Sequence, residues 1–373
     1  MLTIKEVRTR KDRLEYVTFQ NELYRGVENY VPTMVMDEMA NINPKKNPAF
    51  SYCDMRFFLA QRDGKTVGRI GAIISYKAND IWDTKKIRIT RFDFIEDYEV
   101  FCLLIKQVED WGREKGLNEM IGPIGFCDLD KEGMLVDGFD RIGMFITYYN
   151  HPYYVEFMER YGFRKEADWT EHVIKLQYKD EDKIARVANK LMERRGYKVL
   201  QFKNKKELKP YIPKIFDLLN REYKDLYGMV PLTQEQIDYY AGQFLTLINL
   251  RYVSFITDSE GEIIACGILA PSLVEPMKKS NGRLFPFGWI GLLKALNKPK
   301  VLDMYLVAVK KELQKTGVPA ILINDIYNRA KADNILYAET GPELETNFAV
   351  QSMWGVFESE MNVRRRRCWI KEI

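Results

Sequence analysis

The chain has 373 residues, 46% hydrophobic and 29% charged, with 57 basic against 53 acidic residues and a net charge of +4. That size admits two domains with separate cores. Aromatics at 13% leave little room for long disordered tails, and the near balance of charge gives no nucleic-acid signature. Two histidines, His151 and His172, exclude a His-rich metal site. Five scattered cysteines (Cys53, Cys102, Cys127, Cys266, Cys368) without a Cys-x-x-Cys pair fit core thiols in a reducing cytoplasm.

Met1–Arg8 alternates like a strand rather than a signal peptide, and Leu2–Val7 is predicted as the first strand. Lys11–Tyr24 reads as helix and Asn43–Pro48 as loop. Met55–Gln61 and Thr66–Ser75 flank Asp63-Gly64, a hairpin signal. Ile87–Phe94 is a strand, Glu99–Lys115 an amphipathic helix ended by Gly116, and Glu119–Gly122 a short strand. Gly125–Tyr148 is a long irregular segment. A helix starts at His151 or Pro152 and runs through Tyr161, and Arg164–Gln177 returns as strand.

A second half begins near Tyr178. Asp180–Arg195 is a charged helix, Lys198–Phe202 a strand, Lys206–Tyr223 a helix interrupted by Pro210 and Pro213 near its start, and Thr233–Leu247 a helix. Tyr252–Thr257 and Glu262–Ala270 form a second hairpin. Pro271–Lys300 resembles an insertion. Its most apolar part, Leu284–Leu296, is too short to span a bilayer and carries Lys294. It reads as a segment packed on the second core or between halves. A membrane-surface helix or an acyl-chain lid is the rival reading.

Val301–Ala330 then reads as strand, Gly-containing turn and helix, an arrangement that aims backbone N–H groups at one spot suited to phosphate. Ile335–Thr340 is a strand, Glu345–Phe357 a helix and Val363–Ile370 a terminal strand. In that last strand alternate residues of Arg364–Arg367 face opposite sides and are read as solvated. The two halves share an order of events: FLAQRDGKTVGRIGAII (58–74) matches FITDSEGEIIACGILAP (255–271) in pattern. This predicts a duplication, with domains 1–178 and 179–373 joined at Gln177–Asp182.

Helices, hairpin, strand, Gly-turn, helix, strand, helix, strand resembles the GNAT N-acetyltransferase superfamily, in both halves. Asp137-Gly138-Phe139-Asp140 and Tyr148–Tyr154 are similar to a bacterial branch of tandem GNAT-like proteins. The resemblance implies an α+β fold with mixed sheets, two GNAT-like domains in tandem. It also implies an acyl-CoA-dependent N-acyltransferase, acetyl-CoA being the first donor to consider, acting on a small-molecule amine in the cytoplasm. A homodimer is compatible with it, and neither nucleic acid nor a transmembrane segment is called for. A GNAT-like ligand-binding protein without catalysis is the alternative.

In that family a Gln/Arg-x-x-Gly-x-Gly/Ala turn binds the CoA pyrophosphate. Here Gln314 and Gly317 match. Pro319 offers no N–H, and Ala320 comes one place late. The implied cofactor contacts are Leu306, Val307, Ala308 and Val309 on the strand, then Gln314, Lys315, Thr316, Gly317, Val318 and Ala320, with Asn347 at the last helix. Trp354 stands where the family's Tyr acid falls, and Met158 in the first half. The first half puts Glu96 and Asp97 where the pyrophosphate would lie, which implies that it does not bind CoA.

The chemistry needs a base for the amine, an acid for the thiol and N–H groups for the oxyanion. Asp303 and Glu339 are candidate bases and Tyr305 a candidate acid; the plainer reading of each is a strand polar residue. The loop Phe126–Tyr154 gathers acidic and aromatic residues able to hold a cationic amine. Asp128, Asp137, Tyr149 and Asn150 are its candidate substrate contacts.

Overall fold

The computed structural model of the chain describes every residue except Asp128, and of Glu181 and Asp182 only the backbone. The first half runs β1 (Leu2–Glu6), α1 (Arg10–Leu23), α2 (Val35–Asn41), β2 (Cys53–Arg62), β3 (Lys65–Ser75), α3 (Tyr76–Trp82), β4 (Lys86–Phe94), α4 (Tyr98–Glu114), β5 (Glu119–Gly122), β6 (Met134–Asp137), α5 (Tyr153–Arg160) and β7 (Arg164–Tyr178). The second runs α6 (Glu181–Arg195), β8 (Lys198–Leu200), α7 (Lys205–Leu208), α8 (Ile212–Glu222), α9 (Gln234–Leu247), β9 (Val253–Thr257), β10 (Ile263–Pro271), α10 (Val274–Ser280), α11 (Gly288–Asn297), β11 (Val301–Val309), α12 (Val318–Ala332), β12 (Tyr337–Thr340), β13 (Glu343–Leu344), α13 (Phe348–Gln351) and β14 (Phe357–Glu372).

Local chemistry explains most of these elements. Asp63 and Gly64 both take positive φ in the β2–β3 turn, as a two-residue hairpin requires. Thr9 with Asp12, and Thr233 with Gln236, form capping boxes that start α1 and α9. Asp97 caps α4 by accepting from the amides of Glu99 and Val100.

The strands form one mixed sheet in the order β1-β2-β3-β4-β5-β14-β7-β12-β11-β10-β9-β8, with β6 on β14 and β13 on β7. The order is symmetric about its centre, as a duplicated chain would give. The closing strands are exchanged, however. β7 of the first half pairs with β12 of the second, and β14 of the second pairs with β5 of the first. The central β7–β14 pair then joins the halves antiparallel.

This placement corrects the reading of the arginine run. β14 lies inside the sheet, so Arg364 and Arg366 are 2% and 0% exposed. Both donate to the buried Glu171 of β7, and Arg364 also to Glu339. Arg367 pairs with Asp168 at 2.8 Å. Charges in such a place persist only with partners. The helix expected over Glu345–Phe357 is a short α13 followed by a 3₁₀ turn, and Phe357 already begins β14. The interruption expected at Pro210 and Pro213 divides Lys206–Tyr223 into α7, a 3₁₀ turn and α8.

Candidate active site

β11 reads VLDMYLVAV, a nearly continuous apolar run, because both its faces are covered. Its register against β10 slips: Leu269 faces Met304 while Ile268 faces Leu306, leaving Tyr305 as an extra residue. Such a bulge reverses the facing of the residues beyond it. Before it, Leu302 and Met304 join the apolar cluster of Ile326 and Ala330 on α12. After it, Leu306 and Ala308 turn to the opposite face, with Phe216 and Leu219 of α8, while Val307 and Val309 turn toward α12.

On its other edge β11 pairs in parallel with β12 only over Val301–Met304. The Gly341 amide then donates to the Met304 carbonyl at 3.0 Å and the chain turns away. Past Met304 the two strands splay, and a cavity of about 220 Å³ opens between them.

The cavity has two sides. Toward α12 it is apolar: Leu322, Ile326 and Ala330 line it on successive helical turns, facing Leu302, Leu269, Ala338, Ile174 and Leu176. Eight residues of helix extend ~12 Å. On the opposite side Tyr305 stands against Phe244 of α9, with Tyr223, and the first half contributes Leu129, Asp130, Glu132 and Ile146. This side therefore carries Tyr305, Tyr223, Asp130 and Glu132, and Glu343 is the carboxylate that lines the α12 side.

The Tyr305 hydroxyl is buried and makes no hydrogen bond among the described residues; burial, and then the Asp303 charge, holds it protonated well beyond the usual phenol range. Asp130 accepts from the Phe126 amide at 2.7 Å, and burial raises its carboxyl above the ordinary value. Tyr223 donates to the Val307 carbonyl at 2.8 Å. On the α12 side Glu343 accepts from Trp354 Nε1 at 2.8 Å, and its other oxygen stands 3.6 Å from Nε2 of the fully buried His172. His172 Nδ1 accepts from the Asn362 amide, so Nε2 is the ring nitrogen on the Glu343 side.

Of the residues singled out from sequence, Tyr305, Leu306, Val307 and Asn347 line the cavity. Asp303 and Glu339 face each other in register beside it, without lining it. Burial, reinforced by the Glu339 charge, pushes the Asp303 carboxyl up to about 8, and one of its oxygens has no partner among the described residues. Glu339 is engaged by Arg364. Ala308 and Val309 are core residues.

In the turn, Gln314 Nε2 donates to the Val309 carbonyl at 3.2 Å and Lys315 is exposed. Gly317 caps α12 at φ +89°, and a side chain there would strike Leu191 of α6. The amides of Thr316 and Ala320 bond within the turn, to Leu313 and Gly317, and Val318 is buried. Asn347 accepts from the Val350 amide as the cap of α13.

Asp128 lies outside the described residues. Asp137 is exposed, Tyr149 belongs to an aromatic cluster with Tyr24 and Tyr30, and Asn150 clamps both backbone groups of Leu135. None of these three lines the cavity. The same long loop reaches it through Asp130, one of the acidic residues it gathers, and through Glu132, Leu129 and Ile146, which its sequence pattern does not mark. His172 and Glu343 were missed too. Their nearness comes from β13 pairing with β7, which no local pattern announces.

The architecture defines a class: an α+β protein with a tandem GNAT-like fold. Over the full chain it superposes on a tandem GNAT protein from the clavulanic acid biosynthesis pathway, at TM-score 0.59, 12% identity and 98% coverage of that chain. It also superposes on a probable N-acyltransferase from Enterococcus faecalis V583, at TM-score 0.52, 8% identity and 73% coverage of that chain. Among curated proteins it is similar to a bacterial ceramide synthase of Caulobacter vibrioides. That match is 26% identical over 322 residues, covering 84% of this chain and 82% of the relative. It is also similar to protein YghO of Escherichia coli, 24% identical over 379 aligned positions, covering 98% and 94%. No family model matches.

Proposed function

We propose that this protein is an acyl-CoA-dependent N-acyltransferase whose donor enters the splay of β11 and β12, in the second half only. The two-sided cavity at the bulge of β11 carries this reading. Its apolar arm suits an acyl chain longer than acetyl. Its polar arm, with Asp130 and Glu132, suits a cationic amine. In the first half the Asp97 carboxylate occupies the N-terminal amides of α4, the place a pyrophosphate would need. The names of two similar proteins, a ceramide synthase and a probable N-acyltransferase, describe amide formation as well.

In this reading Asp130 or Glu132 takes the proton of the ammonium group, and the neutral amine attacks the thioester carbon. The oxyanion accepts from the N–H groups on the unpaired edge of β11 beyond Met304. As the C–N bond forms and the C–S bond breaks, the Tyr305 hydroxyl protonates the departing thiolate and is itself reprotonated by the second proton that the nitrogen sheds in becoming an amide. Val307, Gln314, Lys315, Gly317 and Asn347 border the path of the CoA arm, while the amides of Thr316 and Ala320 hold the turn in shape.

The test is thiol release from acetyl-, octanoyl- and palmitoyl-CoA with amines ranging from a polyamine to a long-chain amino alcohol. Release that depends on both donor and amine supports the assignment. Binding of donors with no release on any amine favours the second reading, a GNAT-like binding protein that has lost the reaction. Trp354 in place of the family's tyrosine, engaged with Glu343, is the observation behind that reading.

A further inference from the structure

From Glu275 to Asp303 the chain carries six basic residues between the two acids and no further acidic one: Lys278, Lys279, Arg283, Lys294, Lys298 and Lys300. α11 lies in the middle of this stretch. Its inner side is accounted for: Leu292 and Leu296, with Leu284 ahead of the helix, pack on Val31, Met34, Leu273 and Met277. The sequence expectation of a segment packed between the halves holds for these residues.

Its outer side does not fit that expectation. Phe285 and Phe287 are 69% and 74% exposed, and Trp289, Ile290 and Leu293 are 45–51% exposed. On a helix at 100° per residue the last three share one side, with Lys294 at its border. α11 is thus mostly apolar yet covered on one side only. The indole N–H of Trp289 is satisfied by the Pro286 carbonyl at 3.0 Å, so its ring can leave water without stranding a donor. Arg283, Lys294, Lys298 and Lys300 are exposed and form no ion pair among the described residues.

Contiguous exposed apolar surface of this kind marks an interaction site, and charge decides between occupants. Symmetric pairing with a second copy would set this patch against itself. With no acid in the stretch, unpaired cations would then meet cations. An anionic lipid surface matches both components: aromatic and branched side chains enter the interface while lysines and arginine meet headgroup phosphates.

We propose that this face docks on anionic phospholipid, with α11 lying in the plane of the interface. No helix among the described residues is long and apolar enough to cross a membrane, so the contact is peripheral. It does not depend on what the cavity binds.

The experiment is co-sedimentation of the full chain with vesicles of phosphatidylcholine, alone or with about 30% phosphatidylglycerol, at low and high salt. The expected result is binding to the mixed vesicles that weakens as salt rises. It should fall at least about tenfold on combining Phe285→Ser, Phe287→Ser and Trp289→Ser, and likewise on combining Lys294→Glu with Lys298→Glu. Both variants change exposed side chains, so their melting temperatures should match the parent; the second keeps the test open if the first folds poorly. A parent that stays in the supernatant, or variants that bind as the parent does, would overturn the proposal. So would a parent dimer that the aromatic variant converts to monomer without any vesicle binding, which would give the face to a second copy.

Discussion

Filling the apolar arm of the cavity should change chain-length preference without abolishing donor binding. Ala330 sits on the third of the helical turns that line this arm, 1% exposed and facing Leu302 and Ala338. Ala330→Phe adds a six-carbon ring there. Each buried methylene contributes about 0.8 kcal/mol, or roughly fourfold in affinity. Lengthening the donor from two carbons to eight therefore adds up to about 5 kcal/mol in the parent, a ceiling that ordering costs will reduce. A water occupies about 30 Å³ of liquid, so a cavity of 220 Å³ accommodates several methylene-sized units. In the variant that gain should flatten: acetyl-CoA binding stays within about threefold, while octanoyl-CoA loses roughly 10- to 100-fold. Calorimetric Kd values for a donor series, with melting curves to check the fold, read this directly. A parent whose affinity does not change from acetyl to octanoyl, or a variant that weakens both equally, would refute the assignment of the apolar arm.

Tyr305→Phe should lower kcat roughly 10²–10⁴-fold while leaving donor Kd unchanged. It should also raise stability by about 1 kcal/mol, because a buried hydroxyl without a partner is removed. Asp303 holds its proton in the folded chain up to about pH 8, whereas the unfolded chain releases it near pH 4. Its contribution to stability is therefore complete below pH 4 and is lost as pH rises to about 8. Asp303→Asn should remove that loss, raising stability by on the order of 1–3 kcal/mol more at pH 7 than at pH 5 in denaturant titrations. Glu171→Gln leaves Arg364 and Arg366 without their shared carboxylate and should cost about 3–5 kcal/mol in the same assay.

Much of the fold is legible in local chemistry. Asp63-Gly64 announces a hairpin through a dipeptide that tolerates two positive φ values cheaply. The apolar stripe on α4, with Asp97 ahead of it, announces a capped helix. The features that are not legible depend on distant partners. A run of four arginines reads as solvated because the carboxylate that neutralises two of them stands 193 residues away from Arg364. β14 is recognisable as a strand, but nothing in its period says that it enters the other half's sheet. The site behaves likewise. Leu302, Ile326 and Ala330 look like ordinary core residues, since the space among them is an absence of atoms that leaves no mark on sequence. Tyr305 looks like one member of a regular strand, because the bulge exists only relative to β10. α11 reads in sequence as either packed or exposed, because an apolar run does not say which of its sides the fold will cover.

The exchange of closing strands makes the site a joint product of both halves, and this can be tested by cutting the chain. Ile174 and Leu176 of β7 wall the apolar arm, and Asp130 and Glu132 of the first half's loop line the opposite side, although β11 belongs to the second half. Alone, residues 179–373 would leave the outer edge of β12 unpaired, and β14 would have neither of its neighbours. Alone, residues 1–178 would leave β5 and β7 open in the same way. Long apolar strand edges of this kind aggregate. Expressed together as two chains cut between Tyr178 and Lys179, the halves should instead assemble into one soluble heterodimer, since the β7–β14 ladder and the Glu171 network survive the cut. That heterodimer should bind octanoyl-CoA as the intact chain does. Soluble, donor-binding material from residues 179–373 alone would show that β7 and the loop are dispensable, and with them the division of labour between a donor-binding half and an acceptor-binding half.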